Sequence, residues 1–547
     1  MKAWPRFVVP LLLIWVACAG LYLAHRDAMT RDEGIHIASA YLAIERHEFR
    51  FDPEHPYLFK ILTALPLLPL GLHNPPDDKK LWESAKPINY DSWRESFEWS
   101  EQWFYRSGNN ADLMIFMSRL PAVLVMITLA SLVYKVASVW FSEKVGRYSL
   151  FFLAFNPNFL AHGHLANTDT PIALAFLWVI YTLWLYFKLP TRRYAAVVGV
   201  SLGLALITKF SSIGLIPIVL IWWIYLAIRT KEYGKLLLHL LIIALCSWVI
   251  IWIGYELEFS HTLHDAQVVV WINPYTVWWH NLGYLRFILP IDYIKGLSIV
   301  LIGTIAGREA YVFNQVYTHG VPQYFPILYG LKTQITGLLL LLSALIFGVA
   351  RLHKRAFLSP TNILIAMTVG VFGYLSITSK LDIGVRHIMP LMVFFSLFMA
   401  LGLLSLQQEW KTKFLLPIVI FTYSLPVFTG AFNLIGYNNS FIHPSSSAFL
   451  YFDDSNLDWG QDSKLIVDTI QREFPGQPIY SDYYLSPYAL GYYGIHTIGF
   501  ERSNPPRGKI IMLTASELKW KEWKPFQKMT PLASVTNTTF FYRLPIL

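Results

Sequence analysis

The sequence contains few charged residues and almost no cysteine for a chain of its length. Only 14% of its 547 residues are Asp, Glu, Lys or Arg, and 55% are hydrophobic, a balance that excludes an ordinary soluble enzyme. The two cysteines, Cys18 and Cys246, both lie in apolar runs, so we expect neither a disulfide framework nor a zinc site. Glycine-rich loops of the dinucleotide-binding or Walker type are also missing, which argues against nucleotide chemistry.

The basic residues that give the chain its net charge of +9 are scattered in short clusters. A nucleic-acid-binding protein would pool them in one domain or stripe, so no nucleic-acid partner is predicted. Apolar runs of about twenty residues recur between these clusters, which is the pattern of transmembrane helices. We therefore predict a polytopic α-helical membrane protein with about eleven spans. The predicted spans are 7–24, 111–137, 146–162, 171–189, 195–209, 211–229, 235–254, 331–350, 361–378, 387–405 and 413–432.

Lys and Arg concentrate in short turns such as 188–193 and 229–235, which predicts that these turns and the N-terminus are cytoplasmic. The long segments 25–110 and 255–330 then lie on the outer face of the inner (plasma) membrane. The tail 438–547 follows on the same face. It combines short strand-like stretches at 449–452, 478–480 and 509–513 with helical spacing at 463–474. We therefore predict a transmembrane domain, 1–437, and a small extracytoplasmic α/β domain, 438–547.

Two adjacent acids, Asp32 and Glu33, follow the first apolar run. Ionisable groups at a membrane surface are costly and often functional, although such acids also cap helices. Lys60 lies in an otherwise apolar segment of the same loop, either as a snorkelling anchor or as a ligand for an anionic lipid headgroup.

Other charged residues fall at predicted helix starts on the outer face. Asp169 precedes Pro171 and fits a helix cap. Lys332 and Arg386 are either topological anchors or, with Lys60, a cationic clamp for a phosphate. His162 and His164 are too few to define a metal site, so a divalent metal is left open.

The stretch Asp454 to Asp462 resembles a calcium loop only superficially. Asp454, Asn456 and Asp458 alternate, but Trp459 occupies the turn position and Leu465 replaces the terminal glutamate, which argues against an EF-hand. The remaining interpretations are a cap for the helix that follows and an acceptor contact through Trp459.

Several motifs resemble the protein O-mannosyltransferase superfamily of C-type glycosyltransferases (GT-C), which includes aminoarabinose transferases. They are the Asp32-Glu33 pair, His55-Pro56-Tyr57-Leu58-Phe59-Lys60, Asn167-Thr168-Asp169-Thr170-Pro171 and Tyr324-Phe325-Pro326 with Lys332-Thr333. Two further stretches, 381–387 and 454–462, are similar to the bacterial phospholipid-carrier-dependent members of that superfamily.

The resemblance implies a GT-C fold and an inverting transfer of a sugar from a polyprenyl-phosphate-linked donor to an extracytoplasmic glycan, lipid or protein. It implies Asp32 as general base, Glu33 as its acidic partner and Asp169 as a second acidic position, with no metal ligand. The expected donor-binding residues are His55, Lys60, Lys332, Arg386 and His387. The expected acceptor-binding residues are Asp454, Asn456, Asp458 and Trp459.

Two other classes of protein compete with this interpretation. A transporter or lipid flippase would have broken or charged helices at mid-membrane and related half-repeats, whereas here the charges cluster at the outer face and no repeat is found. A polytopic scaffold would make the charged loops incidental. The residues specify neither the sugar nor the acceptor, and they do not choose between Asp32 and Glu33 as the base.

Overall fold

The computed structural model shows a largely helical chain with a small C-terminal sheet. It describes residues 7–47, 49, 51–84, 92–256, 288–351, 359–410, 414–430, 433–481, 483, 485–486 and 488–545.

Helices account for most of the described part of the chain. The α-helices are α1 (Val8–Arg26), α2 (Arg31–Arg46), α3 (Tyr57–Ala64), α4 (Asp78–Ser84), α5 (Ser92–Tyr105), α6 (Ala111–Trp140), α7 (Glu143–Ala154), α8 (Pro157–Gly163), α9 (Asp169–Lys188), α10 (Arg192–Leu206), α11 (Leu215–Thr230), α12 (Tyr233–Glu256), α13 (Ile291–Ala306), α14 (Tyr324–Leu331), α15 (Ile335–Val349), α16 (Pro360–Thr378), α17 (Met389–Trp410), α18 (Leu415–Thr429), α19 (Ser463–Glu473) and α20 (Ala489–Tyr492). Short 3-10 helices cover Leu65–Leu70, Phe210–Gly214, Val385–Ile388, Ser445–Leu450, Asp454–Asn456 and Lys521–Lys528.

The polytopic helical architecture predicted from the sequence is confirmed, although the count of eleven spans is not. Among the described residues, seven helices are long and apolar enough to cross a membrane. They are Val8–Arg26, Ala111–Trp140, Asp169–Lys188, Phe210–Thr230, Tyr233–Tyr255, Pro360–Thr378 and Val385–Glu409. Two other predicted spans, around 331–350 and 413–432, correspond to the shorter apolar helices Ile335–Val349 and Leu415–Thr429.

The predicted span 146–162 is not one helix. It is divided into α7 and α8 because the Asn156 side chain accepts hydrogen bonds from the backbone N–H groups of Asn158 and Phe159 and starts a new helix. Pro157 occupies the first position of that helix, where its missing N–H costs nothing. At 12 and 7 residues, neither helix is long enough to span a bilayer.

The segment 255–330, predicted as a long loop, contains more regular structure than expected. It holds the 16-residue apolar helix α13 and a hairpin of β1 (Ala310–Val312) with β2 (Gln315–Tyr317). Residues 257–287 of this loop lie outside the described residues.

The C-terminal segment contains the α/β elements expected there. Strands β3 (Ile479–Tyr480), β4 (Ile510–Thr514), β5 (Ala533–Val535) and β6 (Thr539–Arg543) form a sheet in the order β3-β4-β6-β5. Helix α19 matches the predicted helix 463–474, whereas the predicted strand 449–452 is wrong: the 3-10 helix Ser445–Leu450 covers its first half, and the second half is a turn and irregular structure. The domain boundary at residue 437 stays a prediction.

The first long loop and the C-terminal segment contact each other directly. Glu101 of α5 accepts a hydrogen bond from Ser486 Oγ at 2.8 Å, and Lys464 of α19 pairs at 2.7 Å with Asp112, in the first turn of α6 just after the loop. These contacts agree with the prediction that both segments lie on one membrane face; which face is external stays a prediction. A deep cleft lies between them.

Candidate functional site

The cleft has a volume of about 1100 Å³, and most of the side chains that line it are polar or charged. It brings together six of the residues predicted from the sequence, although they come from four separate parts of the chain. These are Asp32, His55, Arg386, Asp454, Asp458 and Trp459. A concave site with converging titratable groups is the expected setting for chemistry.

A buried guanidinium forms the centre of this site. Arg386 donates from Nη2 to Asp32 Oδ2 at 3.0 Å and from Nη1 to Asp169 Oδ2, also at 3.0 Å. The second oxygen of Asp169 accepts from Lys209 Nζ at 2.5 Å. Two carboxylates and two cations therefore balance each other, and we call Asp32, Asp169, Lys209 and Arg386 the ion-pair network.

The segment 454–459 holds Arg386 in place from the C-terminal side. Ser455 Oγ accepts from Arg386 Nε at 3.1 Å, and the guanidinium carbon lies 4.3 Å from the centre of the Trp459 ring. Asn456 is fully buried, and its Oδ1 accepts from the Val385 backbone N–H at 2.8 Å. This segment therefore orients the cation, which neither interpretation of its sequence anticipated.

The two adjacent acids of α2 have opposite environments. Asp32 lines the cleft with 28% of its side chain exposed, whereas Glu33 is fully buried. Glu33 accepts from Arg119 Nε at 2.9 Å and Nη2 at 2.7 Å, and it caps α2 through Thr30. Burial alone would raise the pKa of Glu33, but Arg119 and the backbone N–H donors lower it to about 2. These contacts favour a structural role for Glu33 over the predicted catalytic one.

Lys60 is held in a buried cluster beside the cleft. Its Nζ donates to the Asp52 carboxylate at 3.0 Å and to the Asp52 carbonyl at 2.8 Å, and His36 Nδ1 lies 2.7 Å from the same carboxylate. Burial lowers the pKa of Lys60 to about 8 despite Asp52. The His55 ring packs edge-on against His36 at 4.9 Å, and burial and His36 hold the pKa of His55 well below its usual value. His55 is therefore neutral at pH 7.

Of the three cations predicted to form a clamp, Lys60, Lys332 and Arg386, the cleft lining includes Arg386 alone. Lys332 is fully buried, and its ammonium donates to the carbonyl oxygens of Ile435 at 2.8 Å, Tyr437 at 3.0 Å and Asn456 at 2.5 Å. It thus stabilises the junction between α14 and the C-terminal segment. His387 is half-buried, and its Nε2 has no hydrogen-bond partner in the part of the chain that the structure describes.

The two histidines near α8 do not form a metal site. His164 Nδ1 lies 2.9 Å from the Leu160 carbonyl and its Nε2 lies 3.2 Å from Asp27, while His162 packs edge-on against Trp459. Within the described ranges, no group of three His, Cys, Asp or Glu side chains is arranged to hold a metal ion.

Three basic residues of this region were missed by the sequence analysis. Lys209 and Arg119 could have been found, because each interrupts or ends an apolar run, and such charges are usually paired and functional. Arg308 lines the cleft and pairs with Glu54 at 2.7 Å. Its partner lies 254 positions away, so no local sequence pattern indicates the pair.

Comparison with known proteins gives one family match. Residues 108–252 match the profile of the dolichyl-phosphate-mannose-protein mannosyltransferases. The predicted superfamily resemblance is confirmed. The matched segment contains Arg119, Asp169 and Lys209 but neither Asp32 nor Arg386.

Two solved structures are similar to the chain at low identity. One is ArnT from Cupriavidus metallidurans bound to undecaprenyl phosphate, with 13% identity, a TM-score of 0.49 and 98% of each chain covered. Another is the oligosaccharyltransferase AglB from Archaeoglobus fulgidus in complex with an inhibitory peptide and a dolichol-phosphate. It has 11% identity and a TM-score of 0.47, and the similarity covers 89% of this chain and 64% of AglB. No curated protein sequence matches the chain.

Proposed function

We propose that this protein is an integral membrane glycosyltransferase that moves a sugar from a polyprenyl-phosphate-linked donor to an extracytoplasmic acceptor. The family match supports the reaction class, since its members are named for transfer from a lipid-linked phosphate sugar. The observation that carries the proposal is the ion-pair network in the cleft, where one guanidinium is shared by Asp32 and Asp169.

Asp32 is the proposed general base. Of the adjacent acids Asp32 and Glu33, it is the one that lines the cleft. In the described residues its side chain accepts one hydrogen bond, from Arg386, whereas Glu33 is fully enclosed. In an inverting transfer it accepts the proton of an acceptor hydroxyl while that oxygen bonds to the anomeric carbon. The bond to the phosphate oxygen breaks at the same time and the electron pair leaves with the phosphate. General base catalysis of this kind contributes about 10²- to 10⁴-fold.

Arg386 is the proposed electrostatic partner of the leaving phosphate. Three of its five N–H groups bind Asp32, Asp169 and Ser455. The other two have no partner among the described residues and remain to bind a phosphate oxygen. Because the network is already neutral, an arriving phosphate needs a further cation. Arg308 is the proposed source, since it lines the cleft with 35% of its side chain exposed and burial raises the pKa of its partner Glu54, which weakens the balance between the two charges.

The test is a transfer assay with purified protein in lipid nanodiscs. Radiolabelled undecaprenyl-phosphate hexoses and pentoses serve as donors and an envelope extract serves as acceptor. Wild type should release undecaprenyl phosphate and label the extract, and Asp32→Asn should lose about 10²- to 10⁴-fold in rate. Asp468→Asn, an exposed position on α19 outside the cleft, is the matched control. Undiminished transfer by Asp32→Asn refutes its assignment, and a wild type inert towards every donor refutes the function.

A further inference from the structure

One side of the cleft differs from the ion-pair network because its acids have few cations beside them. We call Phe97, Glu101, Asp458, Tyr483 and Ser516 the carboxyl wall; all five line the cleft. Glu101 and Asp458 are at least nine-tenths buried. In the described residues neither has a Lys or Arg within ion-pair distance, and Glu101 accepts a hydrogen bond from the Ser486 hydroxyl.

Burial makes both acids of the wall easier to protonate than exposed acids. Burial raises the pKa of Glu101 to about 7. Burial and the nearby Asp462 raise the pKa of Asp458 well above its usual value. The carboxyl wall therefore offers hydrogen-bonding groups whose negative charge is disfavoured by burial.

Two buried polar atoms of the wall have no hydrogen-bond partner among the described residues. They are Asp458 Oδ2 and Ser516 Oγ, in side chains that are 3% and 2% exposed. Buried polar atoms in native proteins are nearly always paired. Two such atoms in one cleft wall are therefore expected to find their partners on a ligand.

Two aromatic side chains of the carboxyl wall, Phe97 and Tyr483, line the same cleft. The Phe97 ring carries the Arg31 guanidinium at 4.8 Å, and the Tyr483 hydroxyl is fixed 3.0 Å from Ser463 Oγ. Rings held in this way present flat apolar surface with little freedom to move. Buried hydrogen-bonding groups next to rigid rings suit a molecule with both hydroxyls and C–H faces, which is a sugar ring.

The charge of the wall decides between chemical classes. A phosphate or carboxylate group would bring its negative charge next to Glu101 and Asp458, and the nearby cation Arg31 already stacks on Phe97 and donates to the Leu485 carbonyl. A hydroxyl both donates and accepts, so it satisfies Asp458 Oδ2 and Ser516 Oγ whichever proton each carries.

We propose that the carboxyl wall is the acceptor subsite and that its ligand is an uncharged, hydroxyl-bearing sugar residue of a glycan. This inference rests on the proposed function, since it assigns the acceptor for that transfer. It goes beyond the motif resemblance, which left glycan, lipid and protein acceptors open and did not include Ser516, Tyr483, Phe97 or Glu101.

The experiment uses acceptor probes of defined chemistry in the nanodisc assay with the active donor. The probes are maltotriose and chitotriose as neutral glycans, glycerol 3-phosphate as an anionic headgroup, and a Ser/Thr-rich peptide. We expect the labelled sugar to appear on a neutral oligosaccharide. Transfer to the peptide or the phosphate alone overturns the acceptor assignment while leaving the glycosyltransferase function intact. Loss of donor turnover with every probe and with envelope extract instead refutes the function itself.

Ser516→Ala separates ligand binding from a structural role. If Ser516 Oγ serves a ligand, its removal raises the KM for the oligosaccharide about tenfold, because a site built to bind a hydroxyl loses that contact. The Tm of the free protein stays equal or rises, because an unpaired buried hydroxyl is gone. A lower Tm with unchanged KM overturns the proposal. Asp458→Asn should raise the same KM, and Asp468→Asn is the control that changes neither quantity.

Discussion

The two sides of the cleft use the same acidic residue types in opposite ways. In the ion-pair network each acid has a cation at hydrogen-bond distance, namely Arg386 for Asp32, and Arg386 with Lys209 for Asp169. In the carboxyl wall Glu101 and Asp458 are buried without one in the described structure. Cation placement therefore decides how far burial can raise the pKa of an acid. One cleft thus contains a region of paired charges suited to chemistry and a region of buried acids without a paired cation that is suited to recognition.

The largest effect is expected from removing Arg386, the cation that Asp32 and Asp169 share. Arg386→Gln leaves Asp32 and Asp169 with Lys209 as their remaining partner in the network. We expect transfer activity to fall about 10³-fold, because both the orientation of Asp32 and the stabilisation of the leaving phosphate are lost. The rate of sugar transfer in nanodiscs measures the effect.

The matched control for Arg386→Gln is Arg472→Gln on α19, where the side chain is 70% exposed. It should leave the rate within a factor of two. If Arg386→Gln keeps more than a tenth of wild-type activity, the network does not carry the reaction.

A second variant tests whether Glu33 belongs to the reaction or to the fold. Glu33→Gln leaves the Arg119 guanidinium buried without its counter-charge, and breaking a buried pair from one side costs about 3 kcal/mol. Asp32→Asn, at a partly exposed position, should cost about 1 kcal/mol or less. Thermal unfolding in detergent should therefore show a much lower Tm for Glu33→Gln. An equal Tm for the two variants would contradict the structural role of Glu33.

The Asp32-Glu33 pair also shows which features of the site could be predicted from the sequence and which could not. Its position after the first apolar run predicted a charged site at the membrane surface, and the motifs predicted that Asp169, Arg386 and Trp459 belong to the same site. Consecutive residues of a helix point about 100° apart, so only one of the pair can face the cleft. Which one does so depends on Arg119, 86 positions away, and no local pattern contains that information.

The same reasoning explains why the sequence did not separate the three cations of the predicted clamp. Lys60, Lys332 and Arg386 have equal standing in the sequence, because each is a cation at the edge of an apolar run. Their different roles depend on partners that are distant in the chain. Lys332, for example, donates to the carbonyl of Ile435, which lies 103 positions away. The fold class and the helices could be predicted from the hydrophobic pattern alone. The role of each charged residue could be assigned only from the tertiary structure.

The pH dependence of stability tests the raised pKa of Glu101 in the carboxyl wall. Folding raises the pKa of Glu101 from its ordinary value of 4.5 to about 7, so between these values the folded state binds more protons than the unfolded state. Stability therefore falls as pH rises from 4.5 to 7 and is level above that range. The contribution of this one group is at most about 3 kcal/mol.

Glu101→Gln should remove this part of the pH dependence, because an amide does not titrate. Tm measured from pH 5 to pH 8 should fall less steeply for the variant than for wild type. Glu473→Gln, at an exposed position on α19, should keep the wild-type slope. Parallel curves for Glu101→Gln and wild type would mean that Glu101 is ionised throughout, and the contrast between the two sides would be lost.

The smallest effect is expected at Asp453, which lines the cleft. It resembles the carboxyl wall in its burial and the ion-pair network in having a cation beside it. It is buried, and its pKa is raised to about 6, yet Lys519 pairs with it and limits the rise. Lys519→Met removes that limit, so the folded-state pKa moves further up and stability continues to fall with pH above 6. We expect the variant to lose about 1 kcal/mol relative to wild type at pH 8 and less at pH 5. A loss that is equal at the two pH values would mean that Lys519 stabilises the fold through its packing rather than through the charge of Asp453.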